Sequence, residues 1–388
     1  MSGPSPIIAA ARDLQAQGRD VVRLDIGEPD FPTPPHIVEA GVRALRDGAT
    51  RYVAPAGIAP LRAALADALR ARGVPASPDG VVVTAGARPM LLFALLALVR
   101  SGDEVLVPDP GYPAYTSAAR LAGGRAVPYP LATRDGAFRV DVEAVRAALS
   151  PRTRVLVLNA PHNPTGAVLD DGTLAELAEL ARRHDLWVVS DEVYAAFAFD
   201  GPSRSIAALP GMRARTVMVD SFSKTYAMTG WRLGFGVMPE TLAPAVTTLV
   251  ADSTTCAPAF VQHAGLAALA GPRETVDMMR TEYRRRRDLL VAGLRSVPGV
   301  RVARPAGAFY AFADVSTLLA AAPVTGATAW LAERLLHAYG LACLPGSAFG
   351  ARGAGALRFS FASTPDRLND AVARLARCAA ELPSGSAM

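Results

Sequence analysis

The sequence predicts an α/β protein: a mostly parallel sheet covered by helices, joined to a smaller α+β region made from both chain ends. Three observations carry this. Short β-rich runs alternate with helical patterns through the middle of the 388 residues. Those runs are almost wholly apolar, as expected of strands covered on both faces. The two ends read differently, and the length suits two or three domains at ~150 residues each.

In chain order, residues 5–18 look helical, and Asp25 to Pro35 is a connector rich in proline and glycine. The strand runs are Val81-Val82-Val83-Thr84, Glu104-Val105-Leu106-Val107, Arg154 to Asn159, Leu186 to Ser190, Thr216 to Asp220 and Leu233 to Val237. An apolar helix opens from Pro89. Another runs from Thr173 to His184, with Leu174, Leu177, Ala178 and Ala181 at i, i+3, i+4 and i+7. From about 273 a long charged helix leads into a strand–helix–strand region, where Gly307 to Phe312 and Leu357 to Phe361 are strand candidates. A large domain over 45–275 and a small one from 1–44 and 276–388 follow. Residues from Leu382 onward read as a frayed tail.

Composition narrows the function. Hydrophobic residues make up 51%, much of it alanine, so the helices should pack closely. A net charge of +5 over this length gives little support for nucleic acid. The densest basic run, Arg284-Arg285-Arg286-Arg287, reads as the wet face of a helix. Cys256, Cys343 and Cys378 are odd in number and far apart, and the five histidines are scattered, so neither a disulfide framework nor a metal site is expected. The N-terminus does not read as a signal peptide. The longest apolar run, Pro89 to Val99, is too short to span a bilayer. A soluble, reducing, cytoplasmic setting is the expectation.

One of the 40 basic residues is a lysine, Lys224, and the rest are arginine. A guanidinium stays protonated, whereas a lysine amine can lose its proton and form an imine. Lys224 is therefore a candidate for amine chemistry, against the alternative of a surface lysine left by chance. It follows a strand in Ser221-Phe222-Ser223-Lys224. Asn159-Ala160-Pro161-His162-Asn163-Pro164-Thr165-Gly166 and Ser190-Asp191-Glu192-Val193-Tyr194 follow two others. Ligands of open α/β sheets bind at such strand ends. Alone, Asn-Pro-Thr-Gly is ordinary turn chemistry and Asp191 could be a helix cap.

Taken in order, the motifs carry more. Leu24-Asp25-Ile26-Gly27-Glu28-Pro29-Asp30-Phe31, Arg51 to Gly57, Asn163-Pro164-Thr165-Gly166, Asp191-Glu192-Val193-Tyr194, Ser221 to Gly236, Gly307-Ala308-Phe309-Tyr310, Pro345 to Gly350 and Leu357-Arg358-Phe359-Ser360 form one ordered set. The chain resembles the class I aminotransferases of pyridoxal phosphate fold type I, particularly the bacterial aspartate and aromatic branch, over roughly residues 6–378.

That resemblance implies pyridoxal 5′-phosphate as cofactor and a transfer of an amino group between an L-amino acid and a 2-oxo acid. Lys224 would form the imine with the cofactor and then carry a proton. Asp191 would face the pyridine nitrogen, and Asn163 and Tyr194 would bond the 3′ oxygen. Tyr112 would stack on the ring, or else is a core or interface tyrosine. Ser221, Ser223 and Arg232 match phosphate positions, and the Gly86-Ala87-Arg88 turn at a helix start offers backbone N–H groups to an anion. Tyr52 would reach the neighbouring subunit's phosphate, implying a homodimer with shared sites. As a tyrosine merely packed at the interface it would imply the same dimer. Arg358 would grip the substrate α-carboxylate through its planar fork, with the Gly27 backbone N–H close by. Alternatively Arg358 is one more surface arginine.

The sequence departs from that branch at Arg88 and Pro89, where lysine and glutamine are common. Arg88 could meet the distal carboxylate of an aspartate-like or glutamate-like substrate, lie over the phosphate, or face solvent. An aromatic substrate stays open. The N-terminal segment is also short. A carbon–sulfur lyase of the same fold is the rival function. Ser221-Phe222-Ser223-Lys224 also fits the S-x-x-K pattern of serine acyl-enzymes, but its companion motifs are missing. A fusion to a DNA-binding module is not expected, because residues 1–5 carry no basic helix pattern.

Overall fold

A computed structural model describes residues 6–134, 136–319 and 326–382. The expected tail thus lies outside the described residues beyond Leu382, as does residue 5 of the first helix.

Eight strands form the central sheet. Their spatial order is Val81–Thr84, Gly234–Val237, Thr216–Ser221, Trp187–Asp191, Thr153–Asn159, Glu104–Asp109, Arg125–Arg134 and Ala137–Val140. The four from Thr216–Ser221 to Glu104–Asp109 are mutually parallel, and Arg125–Arg134 extends them in parallel. Gly234–Val237 runs antiparallel to both of its neighbours. The apolar runs are strands because every residue of Val81–Thr84, Glu104–Asp109 and Thr216–Ser221 is buried. Two packed layers of apolar side chains cover the sheet faces.

The edge hairpin of Arg125–Arg134 and Ala137–Val140 gives no such signal. It is half-exposed and carries Pro128 and Pro130, which are tolerated near an edge. The helix expected from Thr173 spans Asp171–Arg183 and is capped by the Asp170 carboxylate on the Thr173 N–H. The apolar helix begins at Ala87 rather than Pro89, which places Arg88 and Pro89 in its first turn.

A second, antiparallel sheet has the order Arg301–Val302, Tyr310–Asp314, Ala356–Ser360, Leu344–Pro345. Its middle strand starts at Tyr310, not Gly307. Ala308 takes φ +58°, and the Gly307 N–H is turned to the Gly166 carbonyl. One apolar core combines Ile7, Ala11 and Leu24 with residues from Val276 to Cys378. Val22–Arg23 pairs with Leu341–Ala342, and the Ser360 N–H bonds the Leu24 carbonyl. The connector after Leu24 therefore leaves the second sheet and reaches the strand ends of the first.

The charged helix spans Glu274–Ser296. Its arginine run is only half wet, which corrects the reading of that stretch. Arg284 and Arg285 are exposed, but Arg286 and Arg287 are buried. Arg286 pairs with Asp30 and stacks over Phe31. Arg287 stacks over Phe199, donates to the Pro305 carbonyl and meets Asp200 and Asp288. Desolvation of each guanidinium is offset by these partners.

Candidate active site

Lys224 lies in the single turn Phe222–Thr225 that follows strand Thr216–Ser221. Its Nζ donates to the Gly27 carbonyl at 2.5 Å, so the N-terminal connector closes over it. Thr33 holds the connector to the Ala227 carbonyl, and Glu28 meets Thr229. The residue is only half-buried. Even so, burial of the amine lowers its pKa to about 8, with nearby Arg358 and Arg232 lowering it and Glu28 and Asp191 opposing.

Asp191 ends the neighbouring strand and is buried. Its Oδ2 accepts from the Tyr115 hydroxyl at 2.8 Å, and its Oδ1 from the Val193 N–H at 3.3 Å. That second bond is a local turn bond and not a helix cap. Burial pushes the carboxyl up to about 6 against the help of those donors. A buried carboxylate in this state favours a cationic partner. Behind it, Arg72 is the cation shared by Glu192 and Asp220, at 3.7 and 3.5 Å, and burial raises Asp220 to about 7.

Asn159, paired with Asp191 in register, organises the next loop. Its amide donates to the Asp191 carbonyl at 2.9 Å, and its Oδ1 accepts the Asn163 N–H at 2.8 Å. Asn163 Oδ1 in turn accepts from Arg358 at 3.1 Å. Arg358 is buried on strand Ala356–Ser360 and donates to the Asp25 carbonyl at 2.7 Å. Its guanidinium lies 4.3 Å from the Tyr310 ring centre and 5.0 Å from that of Phe349. Its Nε is buried with no partner among the described residues. A buried guanidinium held in plane by such acceptors and rings is suited to an anion. Tyr194 bonds the Tyr310 hydroxyl at 2.8 Å, and burial drives both phenols above their ordinary pKa.

The phosphate candidates meet at a second corner. Ser221 pairs with Gly234 across the sheet, and a side chain on Gly234 would overlap the Gly86 and Ala87 backbone. Gly86 takes φ +97° and precedes the helix Ala87–Leu98, whose first N–H groups are free for an anion. Arg232, itself at φ +58°, donates to the Thr229 and Ala85 carbonyls at 2.9 and 3.2 Å, which holds its guanidinium against Gly86. Ser223 is buried one turn away.

Arg88 is exposed. It bonds the Tyr112 hydroxyl and lies over that ring at 5.5 Å, while Tyr112 packs edge-on against Tyr115 at 5.6 Å. Tyr112 thus touches the tyrosine that supports Asp191. Tyr52 is not drawn in: it stands 85% exposed. Three residues of the site had no role in the sequence reading. Asn159 and Tyr310 lie inside quoted motifs, and Tyr115 follows Tyr112 by three positions, just inside helix Ala114–Leu121.

Comparisons with known proteins agree with this geometry. The family profile "Aminotransferase class I and II" matches residues 19–375. The arginine–pyruvate transaminase of Pseudomonas aeruginosa is 41% identical, covering 94% of this chain and 92% of its own. The aspartate/prephenate aminotransferase of Thermus thermophilus is also 41% identical, with 95% and 94% covered. Among solved structures, an aspartate aminotransferase from Thermus thermophilus with maleate superposes at TM-score 0.90, 40% identity and 97% of each chain. Pyridoxal phosphate, the cofactor of these enzymes, fits the residues present. There is a desolvated amine, a buried carboxylate wanting a cation, and a glycine turn at a helix start beside an arginine. Profile, relatives and superposition coincide over nearly the whole length, and the chain belongs to the class I and II aminotransferases, pyridoxal-phosphate enzymes of fold type I.

Proposed function

We infer that Lys224, Asp191 and Arg358 carry the exchange of an amino group between an L-amino acid and a 2-oxo acid in two half-reactions. The observation that supports this most is the proximity of an amine with a lowered pKa to a buried arginine whose Nε has no partner among the described residues. Arg358 binds the α-carboxylate, together with the Gly27 backbone N–H and the Asn163 side chain. Lys224 moves a proton at the substrate Cα, for which a pKa of about 8 is well matched. Asp191 holds positive charge at the pyridine nitrogen, and Tyr194 and Asn163 serve the 3′ oxygen. When bound, pyridoxal phosphate supplies the electron sink for the charge left at Cα. Ser221, Ser223, Arg232 and the Gly86-Ala87-Arg88 turn hold the phosphate, and Tyr112 covers the ring.

For the donor we favour an aspartate-like or glutamate-like acid, with Arg88 swinging from Tyr112 to the distal carboxylate. An aromatic amino acid is the alternative. The exposed Tyr52, with Val38, Val42 and Leu45 exposed along one stripe of helix Pro35–Arg46, supports a homodimer with shared sites. Of the two domains expected at 45–275 and at 1–44 with 276–388, the first boundary falls inside helix Pro35–Arg46, whose Ile37 packs with Leu61 and Leu65, so we place that helix with the large domain. No described helix is long and apolar enough to cross a membrane. The free cysteines support a cytoplasmic setting.

The test is a set of half-reactions. Amino acids are mixed singly with the holoenzyme, without acceptor, and the visible absorbance and released products are followed. Acidic donors should exchange their amine for a 2-oxo acid. Lys224→Ala should abolish the exchange, and Arg358→Ala should raise the donor concentration needed by at least tenfold. Retained turnover in Lys224→Ala, or release of ammonia by the wild type, would overturn the reading.

A further inference from the structure

Tyr310, buried between Arg358 and Tyr194, is a residue to which neither the motifs nor the family assignment gives a task. It starts strand Tyr310–Asp314 and is 1% exposed. Register against Ala356–Ser360 sets Tyr310 opposite Ser360 and Phe312 opposite Arg358, so Arg358 is the diagonal neighbour of Tyr310 on one face of the sheet. The guanidinium therefore lies on the tyrosine ring at 4.3 Å. The ring is fixed in turn by Phe309 at 4.9 Å and by the edge of Tyr194 at 5.7 Å.

The hydroxyl is held as closely. It shares a 2.8 Å hydrogen bond with the Tyr194 hydroxyl. A Cβ at residue 27 would overlap it, so the Tyr310 hydroxyl explains why glycine stands there: the need is for close approach, since Gly27 has no positive φ. One side chain thus touches the plane of the arginine, the partner of a second phenol and the backbone that carries the Gly27 N–H.

We propose that Tyr310 is a positioning residue with two separable tasks. Its ring fixes the plane of Arg358 for the substrate α-carboxylate, and its hydroxyl fixes the direction of the Tyr194 hydroxyl toward the cofactor. The first task follows from cation–π contact with a guanidinium that donates to Asn163 and the Asp25 carbonyl and whose Nε has no partner among the described residues. The second follows because a hydroxyl carries one proton. Whichever phenol donates within the pair, the bond restricts where the other O–H can point.

The inference rests on the assignment of Arg358 and Tyr194 above, and its test separates the two. Tyr310→Phe keeps the ring and removes the hydroxyl. In the resting holoenzyme, without substrate, the pH midpoint of the visible absorbance should move by about half a unit or more. Tyr194→Phe should move it too. The double variant should move it no further than Tyr194→Phe alone, because the Tyr310 hydroxyl acts through Tyr194. The donor concentration giving half-maximal absorbance change should rise less than about threefold in Tyr310→Phe and more than about tenfold in Tyr310→Leu. Tyr310→Met replaces the leucine variant if that one does not accumulate folded. An unmoved midpoint in Tyr310→Phe, additive shifts in the double variant, or unchanged donor affinity without the ring would overturn the proposal. Should Tyr194→Phe and Arg358→Ala themselves be silent, the site assignment fails instead.

Discussion

Two residues of the site have proton affinities shifted toward their neutral forms. Lys224 loses its proton easily because burial and two nearby arginines penalise an ammonium. In the apoprotein, acylation of the peptide carrying Lys224, followed by mass spectrometry, should therefore be half-maximal near pH 8, well below an ordinary lysine. A midpoint above 10 would mean the amine is solvated. Asp191 is the converse case, with its pKa raised to about 6 from 3.8. The folded state thus binds its proton more tightly than the unfolded chain, and the apoprotein loses stability as pH rises from 4 through 6. Asp191→Asn should make the apoprotein more stable above pH 6 by on the order of 2 kcal/mol, with the gain fading toward pH 4. Denaturant unfolding at pH 4 and 8 checks this. The same substitution should weaken cofactor retention. Both residues were legible in the sequence, one as the lone lysine and one as a carboxylate at a strand end. Their environments were not, because desolvation is set by the whole cleft.

On the scale of an element, helix Glu274–Ser296 shows where a charge run misleads. Its buried positions include Met279, Tyr283, Arg286, Arg287, Leu290 and Leu294. That is a helical stripe, and two of the four arginines lie on it. Composition reads the run as solvent-facing, while the period places half of it inward. Arg287→Ala should destabilise the protein by about 2–3 kcal/mol, through lost packing on Phe199 and an unpartnered Pro305 carbonyl. Arg284→Ala, on the wet face, should cost under about 0.5 kcal/mol. Urea midpoints of the two variants should therefore separate clearly, and equal midpoints would return the run to the surface. The edge hairpin of Arg125–Arg134 and Ala137–Val140 escaped notice for a related reason: an edge strand is half-solvated and has no continuous apolar run to read.

For the whole molecule, the proposed homodimer would make the exposed Tyr52 part of the neighbouring subunit's site. Mixing Lys224→Ala and Tyr52→Ala chains through reversible unfolding should restore activity. In a statistical mixture half of the dimers are hybrids with one intact site, so recovery of about a quarter of the wild-type rate is expected. Activity no greater than that of the separate variants would mean that each site is self-contained.

Chemical identity was local and therefore readable from the chain. A single lysine, a carboxylate and an asparagine at successive strand ends, and a glycine turn before an apolar helix marked the candidates, and the resemblance of the ordered motifs to class I aminotransferases implied the reaction. Tertiary structure decided what depends on distance between remote positions. Arg358 reaches the Asp25 carbonyl across 333 residues. Tyr310 meets Tyr194 across 116, and Lys224 meets Gly27 across 197. Residue type fixes which protons and charges a side chain can hold, whereas burial and partners fix which of them it does hold, and those arise only when the two ends of the chain close over the sheet.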